Sequence, residues 1–399
     1  MIEKNKYLKY FTVIFSGGIV AQVIYFSTIP ILSRLYSVED FSKLSIFASL
    51  LIVLNSISCL RYDVAITLAI KKSDIFKLCL ISFIIATFFS LFLLQILLIG
   101  AFLGVWEYFW SILGISVWLS SIFNIFLNYY LKQKEYKKVS SIKVSQVAAM
   151  SGFQIVVGYT FPKIGAIGLI LGQMINYMIG GVFQIRKIIP MEKIRKTTFK
   201  NLKEVFIKYS NYLRFSTFDS IFNLLGLHLP IILLTFMYDK FAMGLLYMGM
   251  RFIQTPLSLI MSTVSQIYYS NVQDNLSKNL FYFTIKFVIY LTLIGLVGSL
   301  AYFIIGIDLI DIVLGKEWSG LAELSLWMIP WFFIQLISSP ISTVMYAVNK
   351  HKEMMYLTLC GFIIRVFPLG FLLSNNNSNV IEILFYLFDY IFILCKNLW

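Results

Sequence analysis

From Thr28 to Asp63 the sequence runs TIPILSRLYSVEDFSKLSIFASLLIVLNSISCLRYD. An apolar run ends in Arg34 and Tyr36, a short acidic turn follows from Ser37 to Asp40, and a second apolar run carries Arg61 and Asp63 inside it. Two such runs read as a helical hairpin across a bilayer, because backbone surrounded by lipid must satisfy its own hydrogen bonds. A charge at the centre of a span costs roughly 2.5–3.5 kcal/mol on insertion scales. Arg61 and Asp63 therefore need a surrounding other than lipid, and the other helices have to supply it.

The rest of the chain has the same character. Hydrophobic residues make up 59% and charged residues 13%, against about 25% charged in soluble domains, and the mean hydropathy is +0.83. The reading is an all-α polytopic membrane protein with about 12 spans of about 20 residues. Helices are expected over 10–34, 43–70, 75–103, 109–131, 141–161, 164–186, 209–237, 242–270, 281–306, 322–348, 353–373 and 379–396. The short loops that remain exclude a soluble catalytic domain. The basic N-terminus precedes a long apolar run without a small-residue cleavage site, so it reads as the first retained helix.

The net charge of +14 is distributed unevenly. With the N-terminus inside, 24 of the 33 Lys/Arg fall on the cytoplasmic side, five outside and four within spans. This positive-inside bias places both termini in the cytoplasm and accounts for the charge without nucleic acid. The longest loop, RKIIPMEKIRKTTFKNLKEVFIKY, interleaves basic and apolar residues and reads as a short interfacial helix on the anionic inner leaflet. It divides the chain into an N-terminal six-helix lobe (1–186), a basic cytoplasmic linker (187–208) and a C-terminal six-helix lobe (209–399). At an offset of 200 residues Ser16 matches Ser216, Pro30 matches Pro230 and Phe41 matches Phe241. Six spans per half make this a parallel repeat, an architecture with a central cavity between two bundles.

Two stretches carry a family resemblance. PILSRLYSVEDFSKLSIF with LRYDVAI, and YYLKQKEYKKVSSIKVSQ with FPKIGAIGLILGQMI, resemble bacterial polysaccharide-biosynthesis membrane proteins of the Wzx type, over about residues 10–190. These are O-antigen and lipid-linked oligosaccharide flippases of the multidrug/oligosaccharidyl-lipid/polysaccharide exporter superfamily. The resemblance implies two six-helix lobes around a cationic cavity. It implies transfer of an undecaprenyl-diphosphate-linked oligosaccharide, an O-antigen or capsule repeat unit, from the inner to the outer leaflet of the bacterial inner membrane by alternating access. Implied partners are the lipid-linked oligosaccharide, inner-membrane lipids and assembly proteins such as the polymerase. Two alternatives stand beside it. A cation-coupled multidrug antiporter of the same superfamily should prefer an acidic cavity, and an integral-membrane polymerase should need a longer outer loop.

The candidate site residues are the polar ones within spans. Substrate-binding candidates are Arg61, Arg251, Arg365, Asp219 and Asn223. Arginine stays charged and grips a phosphate with two parallel hydrogen bonds. Candidates for coupling or charge balance are Asp63, Asp219, His228 and Asp389. Ser216, Asp219, Asn223, Gly226 and Pro230 share one helix face, as do Arg251, Gln254, Ser258, Ser262 and Ser265. Each face has two readings, cavity lining or helix packing. Snorkelling is the second reading for Arg251 and Arg214, and a hydrogen-bonded packing role for His228. Arg61 and Asp63, two residues apart, do not simply pair: either Arg61 faces the cavity or both bond neighbouring helices. An ion pair with Asp389 competes with a cavity role for Arg365. Gly165, Gly168, Gly172, Asn176 and Gly180 mark a close helix–helix contact. Asp308 and Asp311 read as a solvated acidic outer loop. The cysteines Cys59, Cys79, Cys360 and Cys395 lack disulfide or metal-ligand spacing. No metal site or cofactor is expected, and no phosphate-binding Gly-rich loop, HExxH or nucleophile elbow supports catalysis.

Overall fold

A computed structural model describes residues 2–181, 197–237, 239–275, 280–347 and 355–363, with a few single residues besides. The described residues are helical throughout, without strands. In chain order the helices are α1 (Ile2–Leu35), α2 (Val38–Ser58), α3 (Tyr62–Leu68), α4 (Lys72–Phe102), α5 (Ile112–Lys132) and α6 (Tyr136–Thr160). They continue with α7 (Ala166–Gly181), α8 (Phe199–Met237), α9 (Lys240–Asn275), α10 (Leu280–Ala301), α11 (Ile307–Leu314) and α12 (Gly320–Ala347). Residues 355–363 are helical as well.

Seven helical stretches among the described residues are long and apolar enough to cross a membrane: 16–35, 38–58, 72–102, 108–132, 216–235, 282–306 and 320–339. The chain is thus a multi-pass membrane protein, and the count of about 12 spans is a reading of the sequence. Helix α9 falls short because Arg251, Gln254, Pro256 and a series of serines dilute its apolar content. Helices α4 and α10 leave large side chains such as Phe88, Phe92, Tyr290 and Val297 exposed, as lipid-facing helices must.

The hairpin at the start of the chain forms as expected. Its turn is closed reciprocally: Asp40 N–H donates to Ser37 Oγ at 3.2 Å, and Ser37 N–H donates to Asp40 Oδ2 at 3.0 Å. This is a capping box at the start of α2, with Asp in place of Glu. Pro30 and Pro230 both lie inside helices, α1 and α8.

Three expectations need correction. The helix expected over 43–70 is broken at Cys59–Arg61, where Leu60 and Arg61 adopt left-handed backbone (φ 47° and 61°) and α3 starts afresh. Neither residue is glycine, and left-handed backbone costs roughly 1–2 kcal/mol for each. The acidic pair Asp308 and Asp311 lies on α11 and not in a loop, since Ile310 and Leu314 are buried on its inner face. The stretch Phe199–Lys208, expected as linker, is the beginning of α8, because Leu202, Val205 and Tyr209 pack on an apolar core at helical spacing.

The chain forms two compact units. One comprises the described residues up to Tyr25 with Phe47–Leu224; the other comprises Phe26–Ile46 with the described residues from Leu225 on. The first has a core of α3, α4, α5 and α8 residues, including Tyr62, Ile66, Leu78, Ile122, Phe126, Val205 and Leu213. The second centres on Ile231, Leu234, Met243, Leu246, Met328 and Phe332. In the first unit Gly172 of α7 lies so close to Gln154 of α6 that a Cβ there would clash. Gln154 and Gln146 cross this contact, donating to the carbonyls of Leu169 (2.8 Å) and Asn176 (2.7 Å).

Candidate functional site

In the first unit the polar residues gather around the break between α2 and α3. A continuous helix would offer the carbonyl of Leu60 to the N–H of Val64, but Val64 N–H donates to Arg61 O instead. The freed Leu60 carbonyl lies 3.2 Å from Thr217 Oγ1 of α8, whose hydroxyl is shared with Leu213 O of its own helix at 2.7 Å. Arg61 caps α3 at its N-terminus and is half-buried. Asp63 is buried in the first turn, where a carboxylate suits the helix dipole, and accepts from Asn128 Nδ2 of α5 at 3.3 Å. The far end of α3 is closed by Lys132, whose Nζ donates to Thr67 O at 2.8 Å. Behind the break, Ser58 and Ser121 share a hydrogen bond of 2.6 Å between buried hydroxyls. Beside Ser58 lies Cys59, a buried free thiol, as is Cys79.

Helix α8 meets this corner along three turns. Phe206 stacks on Tyr62 (ring centroids 4.9 Å apart, 14° between planes), and Tyr62 Oη donates to the carbonyl of the same Phe206 at 3.0 Å. Lys208 Nζ lies 2.6 Å from Asp74 Oδ2 at the start of α4. The hydrogen bond to Asp74 raises the Lys208 ammonium above its ordinary value. Further along α8, Ser216 and Asp219 are half-buried and Asn223 is exposed.

In the second unit the same helix places His228 half-buried and Pro230 buried. Arg251 of α9 is only 7% exposed. Its guanidinium carbon lies 5.8 Å from the centroid of Phe41, within cation–π range. Phe41 in turn meets Trp318 edge-on at 5.4 Å. Fully buried Trp318 donates its indole N–H to Ser33 O at 3.0 Å, and Ser33 Oγ donates to Leu314 O, also at 3.0 Å. The turn-flanking ends of α1 and α2 are thereby pinned to the end of α11 and to the turn 316–318 that follows it. Gln254 and Ser262, on the α9 face with Arg251, are exposed.

The structure thus brings Arg61 and Asp63 to one corner, separates them by the start of α3, and places Arg251 in a buried aromatic setting in the other unit. Arg365, Asp389 and Cys395, and the side chain of Arg214, lie outside the described residues. Sequence reasoning missed Tyr62, Asp74, Phe206, Lys208 and Thr217 around the corner, and Ser33, Phe41 and Trp318 around Arg251. A signal was present for Lys208, since Leu202, Val205 and Tyr209 already spell a helical face; the corner itself has none, as SCLRYD contains neither Gly nor Pro. Among the described residues no three His, Cys, Asp or Glu side chains cluster as metal ligands would.

The fold is that of the MATE transporters. One solved structure, the inward-facing conformation of a multidrug resistance MATE family transporter of the MOP superfamily, aligns over 94% of this chain and 96% of its own, with TM-score 0.55 and 12% identity. A mutant of the Vibrio cholerae MATE transporter VcmN aligns over 98% of this chain and 94% of its own, with TM-score 0.57 and 13% identity. No match is found among curated proteins. Residues 105–323, more than half of the chain, match the family described as Polysaccharide biosynthesis protein. The chain belongs to that family. The matched region includes the second of the two stretches that carry the resemblance and runs on into the second half of the chain.

Proposed function

We propose that this protein is a flippase that moves an undecaprenyl-diphosphate-linked oligosaccharide, an O-antigen or capsule repeat unit, from the inner to the outer leaflet of the bacterial inner membrane. The observation that carries the reading is a polysaccharide-biosynthesis family match on a chain with a transporter fold. In this proposal both termini are cytoplasmic, the chain comprises two six-helix lobes joined by the basic linker, and transport proceeds by alternating access. The sugars and diphosphate travel through a hydrated interior while the polyprenyl tail stays in lipid.

Arg61, Arg251 and Arg365 offset the cost of carrying a dianionic headgroup through low dielectric, with Asn223 as a neutral contact. Asp219 balances or releases that charge, and Asp63, His228 and Asp389 are further groups able to do so. A drug–cation antiporter is the weaker reading, because the proposed binding charges are arginines. No enzymatic step is assigned. Depletion of the protein tests the proposal: lipid-linked oligosaccharide should accumulate on the cytoplasmic leaflet. Depletion that leaves the leaflet distribution and the surface glycan unchanged would overturn it.

A further inference from the structure

The connection between α3 and α4 is short and locked at both ends. Ala69 is completely buried and Ile75, in the first turn of α4, is buried too; both belong to the apolar core of this unit, with Ile66 and Leu78. Between these anchors the chain turns outward. Leu68 is 46% exposed and Ile70 92%, and Lys71, Lys72 and Ser73 are exposed beside them. Neighbouring elements add cations: Lys132 of α5 reaches Thr67 O at 2.8 Å, and Lys208 of α8 meets Asp74 at 2.6 Å. Asp74 is thus engaged by Lys208, while Lys71 and Lys72 form no ion pair among the described residues. We propose that residues 68–73 form a lipid-docking wedge: Leu68 and Ile70 enter the headgroup boundary of the bilayer, and Lys71 and Lys72 hold the phosphates of anionic phospholipids. This surface is separate from the basic linker. The proposal rests on the chain being a multi-pass membrane protein and not on what it transports.

The exposure of Ile70 is imposed by its neighbours. With Ala69 on one side and Ile75 on the other held in the core, the isoleucine has no route back onto it. Left in water, such a side chain forgoes about 1.5–3 kcal/mol of burial. An apolar socket on a soluble protein would cover Ile70 but would also meet two ammonium groups without acids. The surface of an anionic bilayer supplies both needs, an apolar boundary and phosphates next to it. Lysine suits that boundary, because its stem lies along apolar surface while the ammonium reaches the headgroups. Further along α4, Phe88 and Phe92 are exposed as well, but they lie in a stretch, 78–104, without a charged residue. Acyl chains of any phospholipid satisfy them. At the wedge the adjoining cations select the headgroup.

The test uses purified protein in lipid nanodiscs. The four native cysteines are replaced by Ala, Ile70→Cys carries an environment-sensitive fluorophore, and phospholipids with a shallow acyl-chain nitroxide quench it. The nitroxide is carried on phosphatidylglycerol in one arm and on phosphatidylcholine in the other, at equal mole fraction. The relative affinity read from the quenching should favour phosphatidylglycerol about fivefold, the preference that one lysine at an anionic surface confers. Adding Lys71→Gln and Lys72→Gln should bring the two lipids to parity. Parity before those changes overturns the wedge, and so does a preference that survives them. Quenching by a water-soluble quencher in place of the lipid nitroxide also overturns it, since the turn then stands in water, as a docking site for a soluble protein would. A second measurement keeps the native cysteines. Native mass spectrometry from mixed-lipid micelles should show more phosphatidylglycerol retained by the unmodified protein than by the Lys71→Gln/Lys72→Gln variant, and equal retention overturns the proposal. No transport substrate is present, so failure here leaves the flippase reading standing, and failure of the transport experiments leaves the wedge measurable.

Discussion

At the scale of single residues, the arginines bear most of the functional proposal. If Arg61, Arg251 and Arg365 bind the headgroup, each Arg→Ala variant should abolish surface glycan at normal protein abundance. Each Arg→Lys variant should keep part of it, because lysine retains the charge and loses the planar fork. Asp219→Asn should impair turnover more than binding. Wild-type glycan in all three alanine variants would remove the cationic site. Arg251 has a second duty legible in its surroundings, since its guanidinium faces Phe41. Loss of folded protein in Arg251→Ala, with recovery in Arg251→Lys, would assign it to packing. Leu60 offers a purely physical check. Glycine adopts φ 47° without steric cost, and Leu60 is 41% exposed, so little packing is lost. Relief of about 1–2 kcal/mol of backbone strain, less about 0.5–1 kcal/mol for the added freedom of glycine in the unfolded chain, should leave Leu60→Gly stabilised by about 0.5 kcal/mol in thermal unfolding; destabilisation would mean that the leucine side chain matters more than the backbone.

At the scale of elements, most helices were legible because lipid demands long apolar runs and breaks them only with charged or polar turns. The turn Ser37–Asp40 sits where its residue types dictate. The break at Leu60 and Arg61 was not legible. It is stabilised by Thr217, Asn128 and Phe206, all distant in sequence, and nothing within SCLRYD marks it. The start of α8 differs for the opposite reason: its lysines suggested a surface segment separate from the span at 209–237, while the apolar spacing of Leu202, Val205 and Tyr209 joins it to that helix. Likewise Asp308 and Asp311 drew attention as acids, although Ile310 and Leu314 define a helix around them. For the basic segment, replacing Lys193, Arg195, Lys196 and Lys200 with Gln should reduce insertion or activity without changing substrate choice. Unchanged abundance, topology and activity would make the segment a tether.

At the scale of the whole molecule, the charge asymmetry makes a topological prediction. Reporter fusions after Lys72, Lys138, Lys203 and Lys352 should score cytoplasmic, and those near Lys43, Lys240 and Asn376 external. Inversion of Lys240 and Asn376 would remove the arrangement of about 12 spans. The central claim is that this chain alone carries a lipid-linked oligosaccharide across the bilayer. The direct measurement is reconstitution of the purified protein into liposomes loaded in one leaflet with lipid-linked oligosaccharides extracted from a depleted strain. Arrival of the glycan at the opposite leaflet is read by its accessibility to an added glycosidase. Translocation with wild-type protein, and its loss with Arg61→Ala, is the predicted result. Equal glycan accessibility in protein-containing and protein-free liposomes would contradict the account.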